Sequence, residues 1–184
     1  MNPQQLVSGC LNGNAHAQRE LYNQFAPLMM GVCYRYTKSV ADAEDVLQEG
    51  FVKVFKNLHQ YRGEGELGAW IRRVMVYTAI NYLKQHIRYN TTMHFDATDL
   101  HVVSDDDPQL ALEGKALADL IRQLPAGYQT IFNLYAVEGY SHAEIGKIMG
   151  IKEVTSRSQY ARARALLINW LQEDAQTKTH YAGK

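Results

Sequence analysis

Residues 139–171, GYSHAEIGKIMGIKEVTSRSQYARARALLINWL, read as two helices joined by a tight turn. Ser141 is a good N-cap, and Glu144 three residues on completes a capping box, so the first helix spans His142 to Met149. Gly150 follows directly, where the left-handed C-cap conformation would strain a larger residue. A second helix starts near Lys152 and runs past Trp170. Gly146 lies mid-helix, where glycine costs about 1 kcal/mol against alanine. That cost makes sense if the second helix passes close by. Ile145, Ile148, Met149 and Ile151 supply an apolar face, and Tyr160, Ala163 and Leu167 recur at the helical three-four spacing.

The other face of the second helix carries Lys152, Arg157, Ser158, Gln159 and Arg162. Such side chains reach phosphates and base edges. The stretch therefore has the form of a helix-turn-helix with a basic recognition helix. Spacing alone leaves the matter open, because amphipathic helix pairs joined at glycine are common and a basic helical face is often only solvated.

The chain has 184 residues, enough for one ordinary domain or two small ones. No apolar run approaches the roughly 20 residues that span a bilayer. The start, MNPQQLVSGCLNGNAHAQRE, lacks the basic and apolar blocks of a signal peptide. A cytoplasmic chain without stable membrane insertion is expected. Cys10 and Cys33 sit in apolar helical contexts without C-x-x-C spacing, as buried reduced thiols do. The seven histidines are scattered and match no ligand motif, so no metal or other cofactor is expected. The formal net charge is zero, but it is unevenly distributed. Residues 1–90 hold ten Lys/Arg against seven Asp/Glu, 91–115 one against six, and 116–184 eight against six. Two mildly basic ends flank an acidic connector. Such a chain neutralises few phosphates by itself and needs a partner to bind DNA tightly.

The rest of the chain is helical in pattern. Residues 3–11 form a short helix that breaks around Asn12-Gly13-Asn14. A longer one runs from Ala15 to Thr37 with Leu21, Phe25, Leu28, Met29, Val32, Cys33 and Tyr36 inward, and Pro27 predicts a kink or break in it. Ser39 caps a helix through Leu58, with Val46, Leu47, Phe51, Val54, Phe55 and Leu58 inward. Its acidic start and basic end suit the helix dipole. After the loop HQYRGEGELG, a fourth helix spans Ala69 to Tyr89 with Trp70, Ile71, Val74, Ala79, Ile80 and Leu83 as core. Arg72, Arg73, Lys84 and Arg88 line its polar side among Tyr77, Asn81 and Tyr82, a mixture that can stack on single-stranded bases or simply serve as core and surface. The pattern dissolves from Asn90 to Leu110, at a triple aspartate and a proline. Helical periodicity returns at Leu112–Leu124 (Leu117, Leu120, Ile121, Leu124), stops at Pro125 and resumes at Tyr128–Val137; the polar tail after Glu173 is expected to fray. The fold class is all-α: a helical bundle over 1–90, an acidic flexible linker over 91–111, and a helix-turn-helix domain over 112–184.

With both ends in view, the chain resembles the bacterial extracytoplasmic-function (ECF) sigma factors of RNA polymerase, over nearly everything from Ala15 to Leu171. The block DAEDVLQEGFVKVFKNLHQYRGEGELGAWIRRV is similar to the family's N-terminal signature. The block LPAGYQTIFNLYAVEGYSHAEIGKIMGI followed by TSRSQYARARALL is similar to its C-terminal one. The resemblance implies a non-catalytic transcription initiation factor whose partners are core RNA polymerase and promoter DNA, melted at −10 and double-stranded at −35. It also makes an anti-sigma factor a partner to look for.

The resemblance also places the work. Asp42, Asp45, Gln48 and Glu49, with Phe51 close by, are similar to the surface that docks on the polymerase clamp coiled coil; carboxylates and an amide at helical spacing suit arginines on a partner helix. The segment Gln60–Arg73, with Tyr61, Arg62, Trp70, Arg72 and Arg73, resembles the part that holds the −10 non-template strand, with Asn81 near the backbone upstream. The second helix of the C-terminal pair resembles the −35 reader, with Arg157, Ser158 and Arg162 at the contacting positions and Lys152, Thr155 and Gln159 beside them. The acidic linker corresponds to the segment that threads towards the polymerase active site. Two residues depart from the family pattern. Val154 stands where glycine is usual, and Gly146 replaces the usual alanine, keeping the site small at little cost beyond helix propensity. Two rivals follow from the residues alone: a stand-alone helix-turn-helix regulator with an N-terminal sensor or dimerisation domain, and a nucleic-acid enzyme, for which no trusted catalytic constellation is present.

Overall fold

The computed structural model describes residues 2–89 and 108–182, with side chains over 2–86 and 116–173. Every regular element among the described residues is helical, as the periodicity predicts. The chain separates into two compact units, residues 1–102 and 103–184.

In the first unit, Asn2 and Gln5 form a capping box that opens α1 (Pro3–Leu11). Asn14 caps α2 (Ala15–Tyr36) by accepting from the amides of His16 and Ala17. Ser39 caps α3 (Val40–Asn57), its Oγ accepting from the Asp42 amide at 3.0 Å. A 3₁₀ turn, Leu58–Gln60, leads through the glycine-rich loop to α4 (Leu67–Tyr89). Helices α2, α3 and α4 pack against one another, and α1 lies on α2. Leu21, Tyr36, Val46, Leu58, Ile71, Met75 and Ile80 are among the side chains sealed inside. Each removes apolar surface from water, the main favourable term in folding.

Several expectations change here. Helix α2 passes through Pro27 as one helix. Asn23 and Pro27 both lie on its exposed side, so the backbone bond that proline forgoes is lost where water replaces it. Leu28 is 67% exposed, not inward. Leu21, Met29, Val32 and Tyr36 make the buried stripe, and Leu28 sits one residue, about 100°, around the helix from it. Trp70, Val74 and Phe55 are half-buried rather than core.

The second unit comprises α5 (Pro108–Gln123), α6 (Ala126–Phe132), a π-helical turn (Asn133–Val137), α7 (His142–Met149) and α8 (Glu153–Ala182). Ile121, Leu124, Ala163 and Leu167 form a core between α5 and α8, with Leu120, Tyr128, Phe132, Leu166 and Trp170 packed against it. The Leu117 side chain is 46% exposed, outside that core. The linker expected at 91–111 lies outside the described residues except for its last four, which belong to α5. Pro108 is the first helical residue there rather than a linker marker, since its missing N–H is one of the unbonded four at any helix start. The tail read as frayed continues α8 to Ala182.

Gly146 does more than keep its site small. A Cβ built there would stand 2.8 Å from the Ile151 carbonyl oxygen and 3.5 Å from the Glu153 amide nitrogen. The turn between α7 and α8 crosses directly over it. Gly150 takes φ 72°, and the Ile151 amide donates to the Gly146 carbonyl at 3.0 Å. The close second helix anticipated from the sequence is therefore present, at its own first turn.

Candidate functional site

The first surface lies on α3. Asp45, Gln48 and Glu49 are exposed at the spacing that puts them on one side of a helix, and Val52, 51% exposed, extends the same stripe. Sequence reasoning missed Val52, although the i+7 spacing from Asp45 was available to find it. Asp42 stands apart: it is half-buried, and Tyr82 of α4 donates to its Oδ1 at 2.7 Å. Burial, then the hydrogen bond to Asp42, then the Asp42 and Asp45 charges push the Tyr82 phenol far above its ordinary range. Tyr82 also stacks on His86, centroids 3.9 Å apart. Glu49 pairs with Lys53 at 2.6 Å. Phe51 is 3% exposed and packs on Tyr22, centroids 4.6 Å apart, so it belongs to the interior and cannot itself touch a docked partner. Its proximity to the acidic stripe reflects the amphipathic period of α3. Beside the stripe an open groove of ≈ 620 Å³ runs between α2 and α3, lined by Tyr22, Ala26, Met30, Leu47 and Gln48 among others.

A second concavity, ≈ 340 Å³, joins the end of α3 to α4. Lys53, Asn57 and Gln60 come from one side, and Trp70, Arg73, Val74, Tyr77, Thr78 and Asn81 from the other. The Arg73 guanidinium carbon lies 5.9 Å from the Tyr77 ring centroid. Tyr61 packs on Trp70, centroids 5.9 Å apart, and its hydroxyl donates to the Gly65 carbonyl at 2.8 Å, which ties the glycine-rich loop to the rim. The structure thus brings together Trp70, Arg73 and Asn81, with Tyr61 behind them. Arg62 is exposed on the loop and Arg72 half-buried, and neither lines this cleft. Lys53 and Asn57 were missed because their cleft partners lie more than a helix away in sequence. The cleft offers a flat aromatic surface beside cationic and amide donors, the chemistry that holds an unstacked base and its phosphate.

The third surface is the helix-turn-helix. The Ser141–Glu144 capping box is formed in both directions, with the Ser141 amide donating to Glu144 Oε2 at 2.8 Å and the Glu144 amide to Ser141 Oγ at 3.3 Å. His142, 8% exposed, joins the elements: its ring stacks on Tyr135 of the π turn at 4.2 Å and 9°, and its Nδ1 lies 3.0 Å from Ser156 Oγ of α8. Burial, with a smaller contribution from Arg157, lowers the His142 pKa, and Glu153 opposes the shift. Neither His142 nor Tyr135 was singled out from the sequence. Lys152, in the turn just before α8, is exposed, as are Arg157, Ser158 and Arg162 on the helix, while Thr155 and Gln159 are half-buried. Gln159 leans towards Gly127 of α6. Ser158 Oγ donates to the Thr155 carbonyl at 3.0 Å. Val154 is 75% exposed beside them. Arg157 is held by Glu153, which the sequence reading did not include.

Residues 21–89 match sigma-70 region 2, and residues 114–167 match sigma-70 region 4. The ECF RNA polymerase sigma-E factor of Haemophilus influenzae is 30% identical over 183 residues, covering 94% of this chain and 96% of that protein. The chain belongs to the ECF RNA polymerase sigma factors. The RNA polymerase sigma-H factor of Pseudomonas aeruginosa is 28% identical, covering 92% of this chain and 93% of its own. Among solved structures, the sigma factor RpoE of Bartonella quintana, in complex with the anti-sigma factor NepR, aligns with a TM-score of 0.54 at 16% identity. That alignment covers 84% of this chain and 96% of the other, and at such identity it speaks to fold alone. As a sigma factor the protein binds core RNA polymerase and directs promoter-specific transcription initiation, and it is not an enzyme. A stand-alone regulator would not need the region 2 match. No helix among the described residues is long and apolar enough to cross a membrane.

Proposed function

We propose that this sigma factor divides its work among the three surfaces. Residues 1–90 dock on core polymerase through Asp45, Gln48 and Glu49, with Asp42 fixed behind them by Tyr82, and hold the melted −10 strand in the cleft of Trp70, Arg73 and Asn81. Residues 91–111 are the connector. Residues 112–184 read duplex −35 DNA with Lys152, Thr155, Arg157, Ser158 and Arg162. The observation that carries this reading is the convergence of Trp70, Arg73, Tyr77 and Asn81 on one cleft, which meets the α3 stripe only through the Lys53–Glu49 pair. Aromatic stacking is worth about 1–3 kcal/mol per base and tolerates any base, so it suits a strand that must be held open. The protein acts in the cytoplasm, where polymerase and promoter are found. An anti-sigma factor, such as the one bound to the Bartonella relative, is a further partner.

The test uses holoenzyme reconstituted from core polymerase and the full chain. Its affinity is measured for a fork DNA with a single-stranded −10 non-template overhang and for the same DNA fully paired. Trp70→Ala and Asn81→Ala lower affinity for the fork and leave the paired DNA unchanged. Equal losses on both, or none on the fork, would show that the cleft does not hold the −10 strand.

A further inference from the structure

We propose that Glu153 is a positioning residue that sets Arg157 to read guanine at the −35 element. The inference rests on the −35 reading above and adds the base. The Arg157 Nε and Nη2 groups both donate to Glu153 Oε1, at 3.1 and 2.6 Å. Glu153 lies one turn earlier on α8, and both side chains are substantially exposed, at 45% and 63%.

The geometry selects what Arg157 can still do. A guanidinium has five N–H donors in a fixed plane. Its side-on edge, Nε with the near Nη2 hydrogen, is occupied by the carboxylate. The free donors are the Nη1 pair and the far Nη2 hydrogen, which present one parallel fork at the end of the side chain. Such a fork matches the O6 and N7 acceptors of guanine in the major groove. Adenine offers a donor where guanine has O6, so the fork rejects it. Without the carboxylate, the side chain is free to rotate towards a phosphate, which takes either edge and carries no sequence information.

A carboxylate on a DNA-facing helix also has an electrostatic consequence. Glu153 reduces the positive field that Lys152, Arg157 and Arg162 present, and so weakens binding to any sequence. Its presence at the start of the reader helix therefore favours discrimination over raw affinity. A surface serving only non-specific attraction would do better without it. The Glu153 charge also sits in the first turn of α8, where it suits the helix dipole, so folding and positioning make the same demand on this residue.

The experiment uses full-length chain in holoenzyme and a duplex enriched by selection from a randomised −35 region. Arg157→Ala identifies the guanine that Arg157 reads, as the position whose preference disappears. That guanine is then replaced by 7-deazaguanine, which lacks N7, and by adenine. Wild type is expected to lose about 5- to 150-fold in affinity on adenine, the range of one bidentate pair. Glu153→Ala shrinks that ratio several-fold while binding to unrelated duplex holds or rises, and Glu153→Gln, which keeps the Oε1 acceptor, falls between. A merely structural loss would instead weaken both duplexes together, and helix content by circular dichroism checks for it. An undiminished ratio in Glu153→Ala, or a selected site without such a guanine, overturns the inference while leaving the −35 reading intact. If Arg157→Ala, Ser158→Ala and Arg162→Ala together change no base preference while the holoenzyme still forms, the −35 reading itself falls, and the inference with it.

Discussion

Gly146→Ala sets two physical effects against each other in a single methyl group. On helix propensity alone, alanine in place of a mid-helix glycine stabilises by about 1 kcal/mol. The structure opposes that gain. The new Cβ would lie 2.8 Å from the Ile151 carbonyl oxygen, closer than real contacts allow, and the obstacle is backbone rather than a flexible side-chain tip. The Gly146 carbonyl itself accepts from the Ile151 amide at 3.0 Å, so the turn cannot retreat without stretching the bond that closes α7. Overpacking of this kind costs about 1–3 kcal/mol. The net expectation is destabilisation of the second unit by up to about 2 kcal/mol, a Tm drop of up to about 8–16 °C for a domain of this size. Trp170 reports on that unit in a Trp70→Phe background, so thermal and urea melting by fluorescence read it separately from the first. A Tm that rises on Gly146→Ala would show instead that the turn yields at little cost and that helix propensity wins.

Other perturbations test the remaining joints. The His142 pKa is lowered by folding, so the unfolded chain binds the proton first: stability of the second unit is full above about pH 6.5 and falls as the pH drops towards the folded pKa. The slope there is at most about 1.4 kcal/mol per pH unit, and it should be reduced in His142→Gln when urea midpoints are compared across pH 7 to about 5. Tyr82→Phe removes the donor to Asp42, a hydrogen bond to a charged group worth about 1.5–3 kcal/mol at most in a half-buried site. Chemical denaturation followed by Trp70 should show the loss, and unchanged stability would mean that water replaces the phenol. Ser141→Ala removes the cap of α7 and should lower the second unit's stability by about 1 kcal/mol, with Ser141→Asp restoring most of it.

The local grammar of this chain was legible wherever the structure depends on neighbours in sequence. Ser141, Glu144 and Gly150 bracket α7 because capping is settled within four residues, and Ser39 opens α3 for the same reason. Errors came where a residue's fate depends on which side of a helix meets another. Leu28 is apolar but points away from the bundle; Phe51 is interior, as the period of α3 predicts, and so drops out of the docking surface to which the family resemblance assigns it. The π turn at Asn133–Val137 has no residue signature; it rests on an i→i−5 bond from the Glu138 amide to the Asn133 carbonyl, 2.9 Å long. Pro108 was read by its frequency in loops, although proline is equally at home at the first position of a helix. The candidate site divides along the same line. Trp70, Arg73 and Asn81 share one helical face and could be grouped by spacing. Lys53 and Asn57 join them only once α3 and α4 are folded together. Glu153 was hidden for a different reason: an acid near a DNA-facing helix reads as a dipole partner, and only the side-chain geometry shows its hold on Arg157.

Docking of α3 onto core RNA polymerase is tested by capture of purified bacterial core enzyme with the full-length chain. Wild type and the Asp45→Ala/Gln48→Ala double variant are compared at equal concentration, with melting curves to show that both are folded; both side chains are exposed, so stability should be unaffected. Docking through α3 predicts capture by wild type and its loss in the double variant. Failure of the folded wild type to capture core enzyme, or equal capture by the double variant, would contradict it.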